Sequence, residues 1–211
     1  AYWQGQALVQ LKKPTDAVKQ LEAAIAAYPK SPFLPELKYG RIDALSEQES
    51  RRKETIALFA EFAKQHPGHE KSPEAFYRAG LTALALSDYA AAQTHTTSFL
   101  GNKMWAKHPL LPDVVFISAE SYIRSAKSEP AKADVLYRRL AAEFPKHDKV
   151  PQAQVGIGLC LHAVKKYDES IAHLLKISGS LKEPALLSEA RLLIGRSHHD
   201  AKRLPEAIAA F

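Results

Sequence analysis

The residues able to do chemistry in this chain are scattered histidines and carboxylates, and the tightest group is His198-His199-Asp200. On a helix, neighbouring side chains point about 100° apart, so these two imidazoles cannot grip one ion together, and no further ligand stands four residues beyond His198. His66, His69 and Glu70 share a connection just after a helix end. A histidine there caps carbonyls or faces solvent, a weak surface metal site being the alternative. Gly156-Ile157-Gly158 opens like a dinucleotide fingerprint, but no strand precedes it and the third glycine is missing, so it reads as a packing feature. Asp113, Glu120 and Ser188-Glu189 could supply paired carboxylates for acid–base work, yet nothing in their spacing converges them. The single cysteine, Cys160, excludes an internal disulfide and argues against a thiolate metal site. No nucleophile elbow, phosphate loop or zinc signature is present. The sequence therefore assigns no catalytic, metal or cofactor-binding residue and predicts a protein that is not an enzyme.

What would position any functional side chain is a repeated pair of short helices, clearest between Ser72 and Leu100. Phe76, Ala79, Gly80, Ala83 and Leu84 fall on one face at helical spacing, Ser87-Asp88 turns the chain, and Tyr89, Ala92, Thr96, Phe99 and Leu100 form the facing stripe. Gly80 and Ala92 stand twelve residues apart, and that spacing recurs as Gly5 with Ala17, Ser121 with Ala133, Gly158 with Ser170 and Gly195 with Ala207; Gly40 and Thr55 stand fifteen apart. Small side chains at these places let two helix backbones approach closely. Bulk would push them apart.

Six units follow, at about 1–28, 35–66, 72–100, 113–144, 151–177 and 184–211. Pro14 marks a helix start, and Tyr28-Pro29, His66-Pro67 and Phe144-Pro145 close second helices, because the residue before proline is biased away from helical geometry. The three extra residues near Gln48-Glu49-Ser50 are expected to lengthen one or both helices of the second unit, and Gly101 to Pro112 forms a longer link carrying Met104 and Trp105. Successive first-helix anchors lie 35, 40, 41, 37 and 37 residues apart, a period that predicts an all-α, right-handed α-solenoid in one array over 1–211. The last hairpin is incomplete, with Ile208 and Phe211 exposed on an unfinished helix, which leads us to expect a segment of a longer chain.

With 46% hydrophobic and 25% charged residues in 211, the composition is that of an ordinary globular protein. Lys and Arg number 29 against 23 Asp and Glu, a formal charge of +6. Arg51-Arg52-Lys53 is the one dense basic run, and the cations otherwise spread over helix faces, so a nucleic-acid track is disfavoured. No apolar run approaches the 18 to 20 or so residues that span a bilayer, and the first residues show no basic region followed by an apolar core of signal-peptide type.

The small first-helix residue, the tyrosine after the turn in Asp88-Tyr89 and Tyr167-Asp168, the small residue twelve on and the closing proline together resemble the tetratricopeptide repeat (TPR) family. The likeness covers essentially the whole chain as five hairpins and a partial sixth. The periods exceed the usual length of about 34 residues, and the family's tryptophan near the start of each first helix is missing. Longer periods with endings such as Phe62-Ala63-Lys64-Gln65-His66-Pro67 are similar to repeats of bacterial envelope proteins, the Tol-Pal coordinator and the outer-membrane assembly lipoproteins. That likeness implies a periplasmic or envelope address, with the cytoplasm as the alternative.

In the TPR family, first helices line a concave groove. The resemblance maps that groove onto Tyr2, Gln6, Leu37, Arg41, Tyr77, Leu81, Ser118, Tyr122, Val155, Leu159, His162, Leu192, Arg196 and His199. Such a wall suits an extended or helical peptide with apolar anchors. The Lys and Asn residues of carboxylate-clamping members are absent from these positions. A non-catalytic protein-binding scaffold is the function implied, with a nucleic-acid-binding repeat or an accessory module of a larger envelope enzyme or complex as alternatives.

Overall fold

A computed structural model describes residues 1–210. Its described residues form twelve α-helices and two 3₁₀ turns, with no strand. They fall into two compact units, Ala1–Leu110 and the chain from Leu111 onward. The first holds α1 (Tyr2–Gln10), α2 (Pro14–Ala27), α3 (Leu34–Ser46), α4 (Arg52–Gln65), α5 (Ser72–Ala85) and α6 (Tyr89–Leu100). The second holds α7 (Leu111–Arg124), α8 (Pro130–Glu143), α9 (Val150–Ala163), α10 (Tyr167–Ser178), α11 (Pro184–Asp200) and α12 (Leu204–Ala210). The all-helical architecture is the one the sequence spacing calls for.

Local chemistry punctuates these helices. Pro14, Pro130 and Pro184 occupy first helical positions, where the missing N–H would have no partner anyway. The Asp88 carboxylate accepts the Ala91 amide and caps α6. Second helices α2, α4 and α8 stop at Tyr28, His66 and Phe144 with φ near −130° and ψ of 55 to 58°, away from the helical geometry that the following proline disfavours. Four first helices end alike. Lys12, Ser87, Lys165 and Lys202 adopt positive φ, and the next amide bonds back to a carbonyl five residues earlier, as Lys13 does to Leu8 at 2.9 Å. The second hairpin differs: its extra residues form a 3₁₀ turn, Glu49–Arg51, while α3 and α4 stay at 13 and 14 residues, so the added length goes into the turn and not, as expected, into the helices.

All twelve small anchor residues are buried. A Cβ on Gly5 would lie 2.7 Å from the Leu21 side chain, and one on Gly158 would lie 2.6 Å from Leu174, so only glycine admits the facing helix. Ser170 adds a bond across its hairpin, its hydroxyl donating to the Gly158 carbonyl at 2.8 Å.

Aromatic rings fill the first unit. Phe59, Phe62, Phe76, Phe99 and Trp105 are all buried, and Trp105, from the 3₁₀ turn Lys103–Trp105, has its ring 5.2 Å from that of Phe99 and 5.8 Å from that of Phe76. In the second unit the core is mainly aliphatic, gathering Val155, Ile171, Leu174, Leu186, Leu193 and Ile194, with Tyr137 fully buried.

Candidate functional site

Of the first-helix residues assigned to a groove, Leu37, Ser118 and Val155 are buried and are corrected to core. Leu37 packs with Leu21 and Leu45, and Val155 with Ile171 and Leu174. Arg41 also departs from the expectation: its guanidinium reaches Glu22 of the second helix α2 at 2.7 Å and lines a cleft with Leu58 and Glu61 of α4. It therefore faces the second helices. Leu81, Leu192, Arg196 and His199 are exposed, whereas Tyr2, Gln6, Tyr77, Tyr122, Leu159 and His162 are half-buried.

For Leu37 and Arg41 the reason lies in α3, which packs against α1, α2 and α4 and buries Leu37, Tyr39, Gly40, Ile42, Ala44 and Leu45 around nearly its whole circumference. Its polar side chains are consequently spent on its neighbours. Asp43 accepts from Gln6 of α1 at 3.5 Å and pairs with Arg78 of α5, whose guanidinium also donates to the Ser46 hydroxyl at 2.7 Å and lies 4.7 Å from the Phe59 ring centre. Neither Asp43 nor Arg78 stood out in the sequence.

On the first unit a cleft of about 790 Å³ opens where α1, the end of α2 and the start of α3 meet. Trp3, Tyr28 and Phe33 line it while remaining 80, 63 and 66% exposed. Tyr2 packs edge-on to Trp3 with ring centres 5.2 Å apart, and its own ring sits over Gly40, where a Cβ would come within 3.1 Å. Ala1, Ser31, Glu36, Glu70 and Lys71 also line it. Lys71 is held by Glu74 at 3.1 Å, and its ammonium lies 5.8 Å from the Tyr39 ring centre.

A family model described as an outer membrane lipoprotein, YfiO, matches residues 1–141. The chain belongs to the YfiO family. Solved structures carry the same fold over nearly all of it. A tetratricopeptide repeat protein from Parabacteroides merdae is 13% identical, with 98% of this chain and 74% of that one covered at a TM-score of 0.72. Pseudomonas aeruginosa pilF is 12% identical, with 99% and 86% covered at 0.62. The apo quorum sensor NprR from B. thuringiensis is 18% identical, with 99% of this chain but 61% of that one covered at 0.64. No curated protein matches at a significant level of sequence similarity. These likenesses establish a TPR fold, and among the described residues no helix is long and apolar enough to cross a membrane.

Two groups in this YfiO-family chain have the composition of chemical sites. On the second unit, His162 Nδ1 lies 2.9 Å from the Ser197 hydroxyl and its Nε2 lies 3.5 Å from Asp200, a serine–histidine–aspartate set. Ser197 is fully buried and directed toward Ser170 at 3.5 Å, so no substrate carbonyl can reach it, and the set acts as a polar lock between α9, α10 and α11. Burial pushes the His162 pKa down, Arg196 adds to this and Asp200 opposes it. The other group is Asp113, His147 and Asp148, whose ligand atoms lie within 4.8 Å of one another. His147 Nδ1 lies 3.3 Å from the Lys149 amide and 3.1 Å from the Asp148 carboxylate, and its Nε2 lies 3.7 Å from Asp113, so the ring bridges the two carboxylates at the start of α9.

The same capping recurs through the chain. His69 Nδ1 accepts the Lys71 amide at 3.1 Å and its Nε2 faces Glu36, His108 accepts the Leu110 amide at 3.2 Å, and the Ser31 hydroxyl accepts the Phe33 amide at 3.2 Å. The signal was legible as a repeated string, Pro67-Gly68-His69-Glu70-Lys71-Ser72-Pro73 and Pro145-Lys146-His147-Asp148-Lys149-Val150-Pro151. These histidines fasten the connections between hairpins.

Proposed function

We propose that this chain is a non-catalytic protein-binding scaffold of the bacterial cell envelope that holds an extended segment of a partner along its first helices, with the α1–α3 cleft as an anchoring point. The envelope address rests on membership of a family described as outer membrane lipoprotein. Binding rests on one observation: Trp3 of α1 and Tyr28 and Phe33 of the link between α2 and α3 converge on one cleft while most of their surface stays in water. Large aromatic side chains left open together cost solvation and mark interaction sites, because they offer broad apolar contact for little lost side-chain freedom.

Site-specific photo-crosslinking tests this reading. A photoreactive phenylalanine analogue is placed at Trp3 or Leu81 on first helices, and at Val135 or Leu175, exposed on second helices, in cells of the source organism. Protein adducts at the first-helix positions and not at the second-helix ones are the expected result. Adducts confined to Val135 and Leu175 would move the binding face to the second helices.

A further inference from the structure

On the second unit we propose a metal site: a zinc-type divalent ion held by His147 Nε2 and Asp113, with Asp148 fixing the imidazole from its other side. The site lies apart from the aromatic cleft and does not depend on the scaffold reading.

A neutral imidazole carries one ring proton, and His147 faces two carboxylates. Its Nδ1 lies 3.1 Å from Asp148 and its Nε2 3.7 Å from Asp113, so whichever nitrogen donates, the other turns its lone pair toward an anionic oxygen. Two such atoms repel, and a cation between them relieves the repulsion. The Lys149 amide reaches Nδ1, at 3.3 Å, and leaves the Nε2 side to Asp113. Lys146 and Lys149 flank the histidine in sequence, but among the described residues neither forms an ion pair with Asp113 or Asp148.

The spacing is that of a pair of ligands. Bonds of about 2.0–2.2 Å from a tetrahedral ion set its ligands about 3.4 Å apart, so Asp113 and Nε2 need to close by only a few tenths of an ångström. With the ring proton on Nδ1 and Asp148 accepting it, carboxylate, imidazole and ion form the chain in which metal-bound histidines are commonly held. One ligand atom from each of the three residues lies within 4.8 Å of the others. Asp113, on the first turn of α7, and His147, in the link between α8 and α9, are 29 and 21% exposed, so both are placed by their surroundings while water can complete the ion's shell. Imidazole with carboxylate suits zinc, copper(II) or nickel, whereas calcium and magnesium take oxygen ligands.

The related string in the first unit is an internal control. His69 Nε2 faces Glu36 at 3.4 Å and Glu70 follows it, yet among the described residues only the His147 group brings three ligand atoms this close. One ion per chain follows, tying the start of α7 to the link before α9.

The test titrates zinc chloride calorimetrically into the whole 211-residue chain, free of any histidine tag, and follows the imidazole nitrogens by NMR. One zinc per chain is expected, shifting the His147 Nε2 resonance, with no comparable binding of calcium or magnesium. His147→Gln should abolish this binding and His69→Gln should leave it unchanged. Asp148 is 76% exposed, so Asp148→Ala spares the fold and should weaken zinc about tenfold. Circular dichroism checks that each variant is folded. Zinc bound as tightly by His147→Gln, or lost in His69→Gln, would overturn the site, as would calcium binding equal to zinc or an unchanged affinity in Asp148→Ala. If millimolar zinc leaves the His147 resonances unmoved, the ring only bridges its two carboxylates and the proposal fails.

Discussion

The two units solve the same packing problem with different side chains. Each stacks three helical hairpins, yet the first fills its interior with Phe59, Phe62, Phe76, Phe99 and Trp105, and the second relies on branched aliphatics packed against helices brought close by glycine. The link after α6, residues 101–110, turns Trp105 inward against Phe76 and Phe99. In the second unit Gly156 and Gly158 admit Tyr137 and Leu174 to within 2.6 Å of where a Cβ would stand. The aromatic habit carries over to the surface, since Trp3, Tyr28 and Phe33 lie open on the first unit, whereas among the described residues of the second the exposed large apolar side chains are Val135, Val164, Leu175, Leu192, Leu204 and Ile208.

Removing the plug should have the largest effect. Trp105→Ala leaves a cavity between Phe76 and Phe99 and is expected to cost about 3–5 kcal/mol. Hydrogen exchange resolved along the chain should show lost protection first in residues 1–110. Uniform loss through both units would mean that the aromatic cluster does not stabilise the first unit in particular.

A smaller effect is expected from filling the close approach in the second unit. In Gly156→Ala, helix propensity favours the alanine by about 1 kcal/mol, but the new methyl would stand 2.6 Å from the Tyr137 ring, which is fully buried and hydrogen-bonded to Glu120. Overpacking of this kind costs about 1–3 kcal/mol. The clash should prevail, lowering the thermal midpoint and the protection of residues after 110. An unchanged or higher midpoint would show that the ring can yield and that close approach at this glycine is not required.

Acid should separate the units most gently. Burial is the main cause lowering the pKa of His66, His95 and His162; Lys38 and His69 add to it at His66, Lys64 at His95 and Arg196 at His162, while Glu36, Asp88 and Asp200 respectively oppose it. The unfolded chain takes up protons near the ordinary value of 6.5, the folded one only below it. Stability from these neutral imidazoles is therefore complete above that value and drains away as pH falls through it. Denaturant unfolding between about pH 8 and about pH 5 should show stability falling toward acid. Two of the three histidines lie in the first unit, so His66→Gln with His95→Gln should flatten the dependence more than His162→Gln; the reverse order would refute the assignment.

How much of this was legible in the sequence varies with the residue. The all-α architecture was, because the small residues and the prolines each impose a local geometry whatever surrounds them. Of the site, Tyr2 was named but Trp3, Tyr28 and Phe33 were not: Trp3 sits beside an anchor on α1, and the other two lie where a helix ends or begins, outside any periodic face. The sequence reading takes His66 and His69 as caps or solvated residues, with a weak metal site as the alternative, and leaves the recurrence of the string at His147 unused.

Local rules thus determined the helices, their turns and the burial of the small anchors, since each depends on contacts within one hairpin and on backbone sterics that a linear spacing encodes. Tertiary structure alone decided which way Arg41 points, why Leu37, Ser118 and Val155 are core, and that Asp43 and Arg78 pair across helices 35 residues apart. Periodicity assumes one buried and one open face per helix. α3, packed against three neighbours, has no open face left, and a side chain's role there is set by what lies opposite it, which no spacing within its own helix records.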